Sequence, residues 1–203
     1  MTLIVISGGL REPSSTRLLA DRLGAAVRAE LGAHDIDVDV EVIELRHLAR
    51  VIVDAMLTGF AAPELEAVFD AVAGSQGVIA VTPTFNATFS GLFKSFFDVL
   101  PEQTLAGTPV LIAATGGTQR HSLMLDHALR PMFNYLHAQV SPSGVFAATA
   151  DFGAGGSDSG LTERITQAAR DFARQLRASG PGPHRDQLDD ELTEIQGLLS
   201  GAH

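Results

Sequence analysis

The stretch SGGLREPSST, residues 7–16, sets Gly8, Gly9, Arg11 and Pro13 ahead of three consecutive hydroxyl residues, Ser14, Ser15 and Thr16. An apolar run, Leu3 to Ile6, precedes it. Leu18, Leu19, Leu23, Ala26 and Val27 then recur at helical spacing. The hydroxyls therefore stand where a helix N-cap belongs. The first turn of a helix offers unpaired N–H groups and a partial positive charge. With Arg11 and the hydroxyls added, that set suits an anion, above all a phosphate. An ordinary cap beside an incidental arginine is the plainer alternative. Three hydroxyls, two glycines and a strand-to-helix position agreeing together favour the phosphate. There is no Gly-Lys-Ser/Thr for a Walker A loop and no Gly-x-Gly-x-x-Gly fingerprint.

Two later stretches carry groups fit for a flat ligand. TPTFNATFSGLFKSFFD, residues 82–98, offers polar Thr82, Thr84 and Asn86, a turn expected to be stiffened by Pro83, the apolar face of Phe85, and Gly91 for close backbone approach. Phe93, Phe96 and Phe97 read as core, and Lys94 as a surface residue or a subunit contact. In ATGGTQRHSLMLDHALRPMF, residues 114–133, Gly116 and Gly117 leave backbone free to approach a ligand edge. Thr118 and His121 stand near the next helix start. His121 reads as a structural hydrogen-bond partner, with ligand contact as the alternative. Asp126 and Arg130 read as a surface ion pair at i, i+4. Pro131 has no N–H for the carbonyl of His127, so a kink or bulge is expected at that turn.

Elements that position these loops follow from the apolar period. Strands are expected at Leu3–Ile6, Ile36–Ile43, from Gly77, from Thr108, and more weakly within His137–Ala148. Helices are expected from about Leu18, over His47–Leu57, Pro63–Ala73, Phe89–Leu100, along Leu125–Leu136, and over Leu161–Leu176. Alternation of strand and helix implies a parallel sheet with helices on both faces. Five strands fit the flavodoxin-like three-layer order 2-1-3-4-5, in which ligands bind beyond the strand carboxyl ends. The three loops all lie at that edge. One domain is expected over residues 1–178, then a linker and a short acidic tail over 179–203.

Composition narrows the function. The 203 residues contain no cysteine, which removes disulfides, thiolate metal sites and a cysteine nucleophile. A net charge of −10 argues against a nucleic-acid partner. No run reaches the roughly 18 apolar residues of a membrane helix, and the N-terminus does not read as a signal peptide, so a cytoplasmic protein is expected. There is no Gly-x-Ser-x-Gly elbow, no His-Glu-x-x-His and no i, i+4 histidine pair. Neither a hydrolase triad nor a metal site is expected.

Taken together, Gly9-x-Arg11-x-Pro13-Ser14-x-Thr16, TPTFNATFSGLFKSFFDVLP and GTPVLIAATGGTQRHSLMLDHALRP resemble the NADPH-dependent FMN reductase family of flavodoxin-like proteins. Within it the chain is most similar to the reductases that supply two-component, luciferase-like monooxygenases. The resemblance runs from about Thr2 to Leu176. It implies bound FMN, with Arg11, Ser14, Ser15 and Thr16 on the phosphate, and Pro83, Thr84, Phe85 and Asn86 beside the isoalloxazine. Gly116, Gly117 and Thr118 would meet the ring from the other side. NADPH or NADH would supply hydride, the cofactor carrying the chemistry without a catalytic side chain. It further implies a homodimer or homotetramer, with a π-helical insertion at His127 near the interface, and a flavin-dependent monooxygenase as partner. Many members carry Gly-Ser where this chain has Gly8-Gly9, and tyrosine where Phe85 stands. An FMN-bound quinone or azo reductase and a flavodoxin-type electron carrier are the alternatives.

Overall fold

The computed structural model describes residues 1–153 and 160–179. The chain runs β1 (Thr2–Ser7), α1 (Ser15–Gly32), β2 (Asp39–Glu44), α2 (Ala49–Thr58), α3 (Pro63–Ala73), β3 (Gly77–Phe85), β4 (Thr88–Phe89) and α4 (Gly91–Val99). Then come β5 (Pro109–Gly116), α5 (Arg130–Tyr135), β6 (Gln139–Val140), β7 (Val145–Ala148) and α6 (Leu161–Ser179). The sheet order is β2-β1-β3-β5-β6, all parallel, with β7 also beside β5 and β4 antiparallel to β3.

Alternation along the strands explains the layers. Leu3, Val5, Ile79, Val81, Leu111 and Ala113 pack with α1 and α6. Ile4, Ile6, Val78, Ala80, Val110 and Ile112 point the other way, onto α2, α3, α4 and α5. Both faces are buried, so the central strands are apolar throughout. On the second face Phe93, Phe97 and Phe133 pack edge-on, with centroids 4.9 and 5.0 Å apart.

The flavodoxin-like order expected from the sequence is present, with differences in detail. The fifth strand is broken into β6 and β7, which pair with opposite ends of β5. Ser141, Pro142, Ser143 and Gly144 lie between them, and Pro142 has no N–H for a ladder. β2 starts at Asp39 rather than Ile36, because a turn through Asp35, at φ 60°, folds Ile36 back onto the end of α1 (N–H to the Leu31 carbonyl, 3.1 Å). The helix expected from His47 begins as a 3-10 turn at Leu45 before α2. The helix expected from Phe89 starts at Gly91, since Ser90 caps it and Phe89 belongs to β4. The expected tail lies, from residue 180, outside the described residues.

The break in the last strand is tied down by Asp171 of α6, which accepts from Ser143 Oγ (2.5 Å) and Gln167 Nε2 (3.1 Å). The Ser143 bond, then the Gln167 bond, hold its carboxyl below the usual carboxylate range. A depressed folded value stabilises fully above the unfolded value of about 3.9, and that stabilisation is lost as pH falls through the folded value. Asp171→Asn should therefore lower Tm at pH 7, and the gap to the parent should close only below about pH 4. A gap of constant size from pH 7 to pH 2 in thermal melts would contradict this origin.

Candidate functional site

The first loop leaves β1 at Ser7. The Gly8 N–H donates to the Val81 carbonyl at 2.7 Å, fixing the loop to β3. A Cβ on Gly8 would lie 3.0 Å from Phe93, so the backbone here sits directly on the core. The Glu12–Pro13 peptide is cis. Ser14 has extended backbone and caps α1, its Oγ accepting from the Arg17 N–H at 3.1 Å. The N–H groups of Ser15 and Thr16 have no acceptor among the described residues. Arg11 is exposed and makes no ion pair among the described residues. Its basic neighbours are engaged: Arg17 with Asp21 and Glu44 (2.8 and 2.7 Å), Arg46 with Glu44 and Glu12 (3.1 and 2.9 Å). The open amides, the exposed Ser15 and Arg11 are thus donors left without partners among the described residues.

Two residues of this loop behave differently from the sequence expectation. The hydroxyl of Thr16 is buried and bonded to Thr115 Oγ1 at 2.8 Å, so only its amide is open to a ligand. Gly9 is tightly placed: a Cβ there would stand 2.3 Å from Ser14 Oγ, so a side chain at this position requires that hydroxyl to move. The hydroxyl absent at position 9 is replaced in space by that of Ser14.

The second loop is a β-hairpin, not the Pro83-stiffened turn the sequence implied. Pro83 lies within β3, opposite Thr115 of β5. The chain reverses at Asn86 and Ala87, with φ 49° and 69°, the positive pair a tight two-residue hairpin demands. Thr82 is structural, its Oγ1 accepting the Ser90 N–H at 3.1 Å, while Ser90 caps α4. Thr84 Oγ1 is buried without a partner among the described residues, 3.4 Å from where a Cβ on Gly116 would be. Phe85 is 41% exposed, and Asn86 is exposed.

In the third loop a Cβ on Gly116 would meet the Phe146 ring at 2.7 Å, whereas one on Gly117 would meet nothing within 4 Å. Thr118 is exposed and extended, and leads into a 3-10 turn, Gln119–His121. The His121 ring is exposed and makes no hydrogen bond among the described residues, against its reading as a structural partner. The anchor is Asp151, which the sequence did not single out. Its buried Oδ2 accepts from Gln119 Nε2 (2.9 Å), the Ala148 N–H (2.8 Å) and Arg164 Nη2 (3.0 Å). One carboxylate oxygen joins the third loop, β7 and α6. Nothing in a glycine-rich segment after a weak strand signals that role.

At Leu125–Leu129 the helix opens into a π-turn, the Arg130 N–H reaching the Leu125 carbonyl five residues back. The bulge expected from Pro131 is therefore present. Arg130 is more than half of a surface pair. Besides Asp126 (3.1 Å) it donates to the carbonyls of Ser141 (2.9 Å) and Pro142 (3.2 Å), clamping the π-turn to the break in the last strand. His127 and Pro131 are exposed.

This edge carries donors without partners among the described residues, at Arg11, Ser15 and the Thr16 amide, together with exposed backbone at Gly117 and the exposed ring of Phe85. Among the described residues no three His, Cys, Asp or Glu side chains are grouped to hold a metal, and no helix is long and apolar enough to cross a membrane. The family model described as NADPH-dependent FMN reductase matches residues 1–153. The chain belongs to the NADPH-dependent FMN reductase family. It is an oxidoreductase whose reactants are FMN and NAD(P)H. An FMN reductase (NADPH) of Pseudomonas aeruginosa is 40% identical over 73% of this chain and 77% of its own. An NADH-dependent FMN reductase, SfnF, of Pseudomonas fluorescens is 38% identical over 93% of this chain and 96% of its own. The crystal structure of an oxidoreductase from Corynebacterium diphtheriae, 45% identical, superposes with TM-score 0.83 over 87% of this chain and 97% of that one. The donor set fits the flavin: free amides and Arg11 suit its phosphate, and the open backbone at Gly117 suits a ring edge.

The close approach at Gly9 is testable. Gly9→Ser should displace the Ser14 hydroxyl and remove the cap, destabilising the ligand-free protein by about 0.5–2 kcal/mol. That corresponds to a Tm lower by roughly 2–4 °C per kcal/mol. Gly117→Ala, placed in open space, should leave Tm unchanged. Equal melting of all three proteins would show that Gly9 is not sterically required.

Proposed function

We propose that this protein carries hydride from NADPH or NADH to FMN and releases the reduced flavin to a separate flavin-dependent monooxygenase. The observation that carries the reading is how exposed the residues assigned to the ring are, and how few aromatics stand among them. Phe85 is half exposed, Gly117 faces free space, the chain has no tryptophan, and its one tyrosine, Tyr135, lies on α5. A carrier that holds flavin permanently would sandwich the ring between aromatic side chains. In this reading one ring face stays free for nicotinamide to stack, and flavin has a path to leave.

In this reading Arg11, Ser14, Ser15 and the Ser15 and Thr16 amides hold the phosphate, against the positive end of α1. Pro83, Thr84, Phe85 and Asn86 border one side of the ring, and Gly116, Gly117 and Thr118 the other. Bound FMN would supply the two-electron acceptor. The chain supplies orientation and a cover over one face, and no side chain is needed as acid or base. Residues 1–178 would form the flavin domain, and the draw on NAD(P)H fits a cytoplasmic enzyme. The exposed residues Leu123 (61%), just ahead of the π-turn, His127 within it, and Pro131 and Tyr135 (84%) on α5 support a contact with a second copy, in a homodimer or homotetramer.

Purified protein at substoichiometric level, mixed anaerobically with NADPH or NADH and free FMN, should bleach many equivalents of flavin. Turnover only with an added quinone would point to a quinone reductase instead, and no nucleotide oxidation to an electron carrier. Replacing both Arg11 and Ser14 by alanine should weaken FMN binding more than about tenfold, since charge-assisted hydrogen bonds contribute roughly 1.5–3 kcal/mol each. For the assembly, Tyr135→Glu should lower the mass measured by light scattering without changing the melting of the subunit. An unaltered mass would place the contact elsewhere.

A further inference from the structure

Thr115 touches all three loops. Its backbone lies in register with Pro83 of the hairpin and immediately precedes Gly116 of the third loop. Its side chain, 4% exposed, meets Thr16 in the first turn of α1, Oγ1 to Oγ1 at 2.8 Å, across 99 positions of sequence. Thr16 is 2% exposed, and its free amide is one of the two that face the anion seat. A neutral hydroxyl pair buried this deeply resists separation, because parting it strands both groups away from water. The pair is therefore a strut between the anion seat, at Ser15 and Thr16, and the ring seat, at Gly116 and Gly117.

We propose that Thr115 is a positioning residue that sets the distance between these two seats, and through it the preference of the site for phosphorylated flavin over the same ring system lacking phosphate. The inference rests on the FMN reading above. A ligand held at both ends gains from the second contact only if the two seats match its span; once the spacing loosens, the second contact adds little. A ligand held by the ring alone does not sense the spacing. Thr115 touches neither end of the ligand on this account, and acts through Thr16.

The test compares FMN with riboflavin, which has the ring but no phosphate, by titration of each against the ligand-free protein. Thr115→Val keeps the shape and removes the hydroxyl. It should weaken FMN about five- to tenfold, the loss of one hydrogen bond's worth of alignment, while riboflavin changes less than about twofold. Thr16→Val cuts the same bond from the other side and should give the same shift in ratio. Thr115→Ser should keep the parent ratio. The double variant Thr16→Val, Thr115→Val leaves no stranded hydroxyl, so its ligand-free Tm should return toward the parent while the ratio stays low. A parent ratio retained in Thr115→Val and Thr16→Val overturns the proposal, whether both affinities fall together or neither moves. A parent protein that binds neither flavin, or binds both equally, overturns the FMN reading and this inference with it.

Discussion

Burial of both faces of the parallel sheet is the constraint on which everything else rests. Because β1, β3 and β5 are covered on each side by helices, their backbone polar groups can pair only with neighbouring strands, and their register is fixed. That register brings Ser7, the end of β3 and Thr115 to the same edge. No loop has to search for its neighbours. The functional edge is a by-product of core packing, and its precision is inherited from the core.

Above that edge, side chains are used sparingly. Gly8, Gly9 and Gly116 each stand where a Cβ would strike Phe93, Ser14 or Phe146. In the proposed FMN reading the backbone itself would form the ligand surface, while side chains do the bracing. Asp151, Arg130 and the Thr16–Thr115 pair are braces of this kind, each joining segments distant in sequence. Such braces suit a protein whose cofactor performs the electron chemistry, since geometry is what the chain has left to provide.

Much of this was legible from residue types. Uninterrupted apolar runs marked the central strands, because a strand buried twice has no polar face to alternate. The hydroxyl run at residues 14–16 marked the cap, and Pro131 marked the bulge, because a missing N–H must be accommodated locally. What escaped was set by distant partners. Thr16 looked like a phosphate ligand until Thr115 was seen to occupy its hydroxyl. Pro83 looked like a turn because proline usually punctuates, yet β5 holds it in the sheet. Asp151 and Arg130 looked ordinary because their partners are carbonyls, amides and side chains that no local pattern reveals. The position of Gly9 gained its meaning only from the Ser14 hydroxyl that fills the same space.

The broken final strand has a consequence for how this molecule meets others. An intact outer strand would offer a row of unpaired backbone groups along its free side, a template for uncontrolled strand addition. Here that row is cut between β6 and β7, with Pro142 in the gap and Arg130 bonded to the carbonyls of Ser141 and Pro142. The opposite outer strand, β2, carries Asp39, Glu41 and Glu44 along its short length. Both borders of the sheet, as far as the described residues show them, are thus ill suited to growth by backbone pairing, and a second copy would have to meet helical surfaces, where side-chain shape rather than a repeating ladder determines what fits.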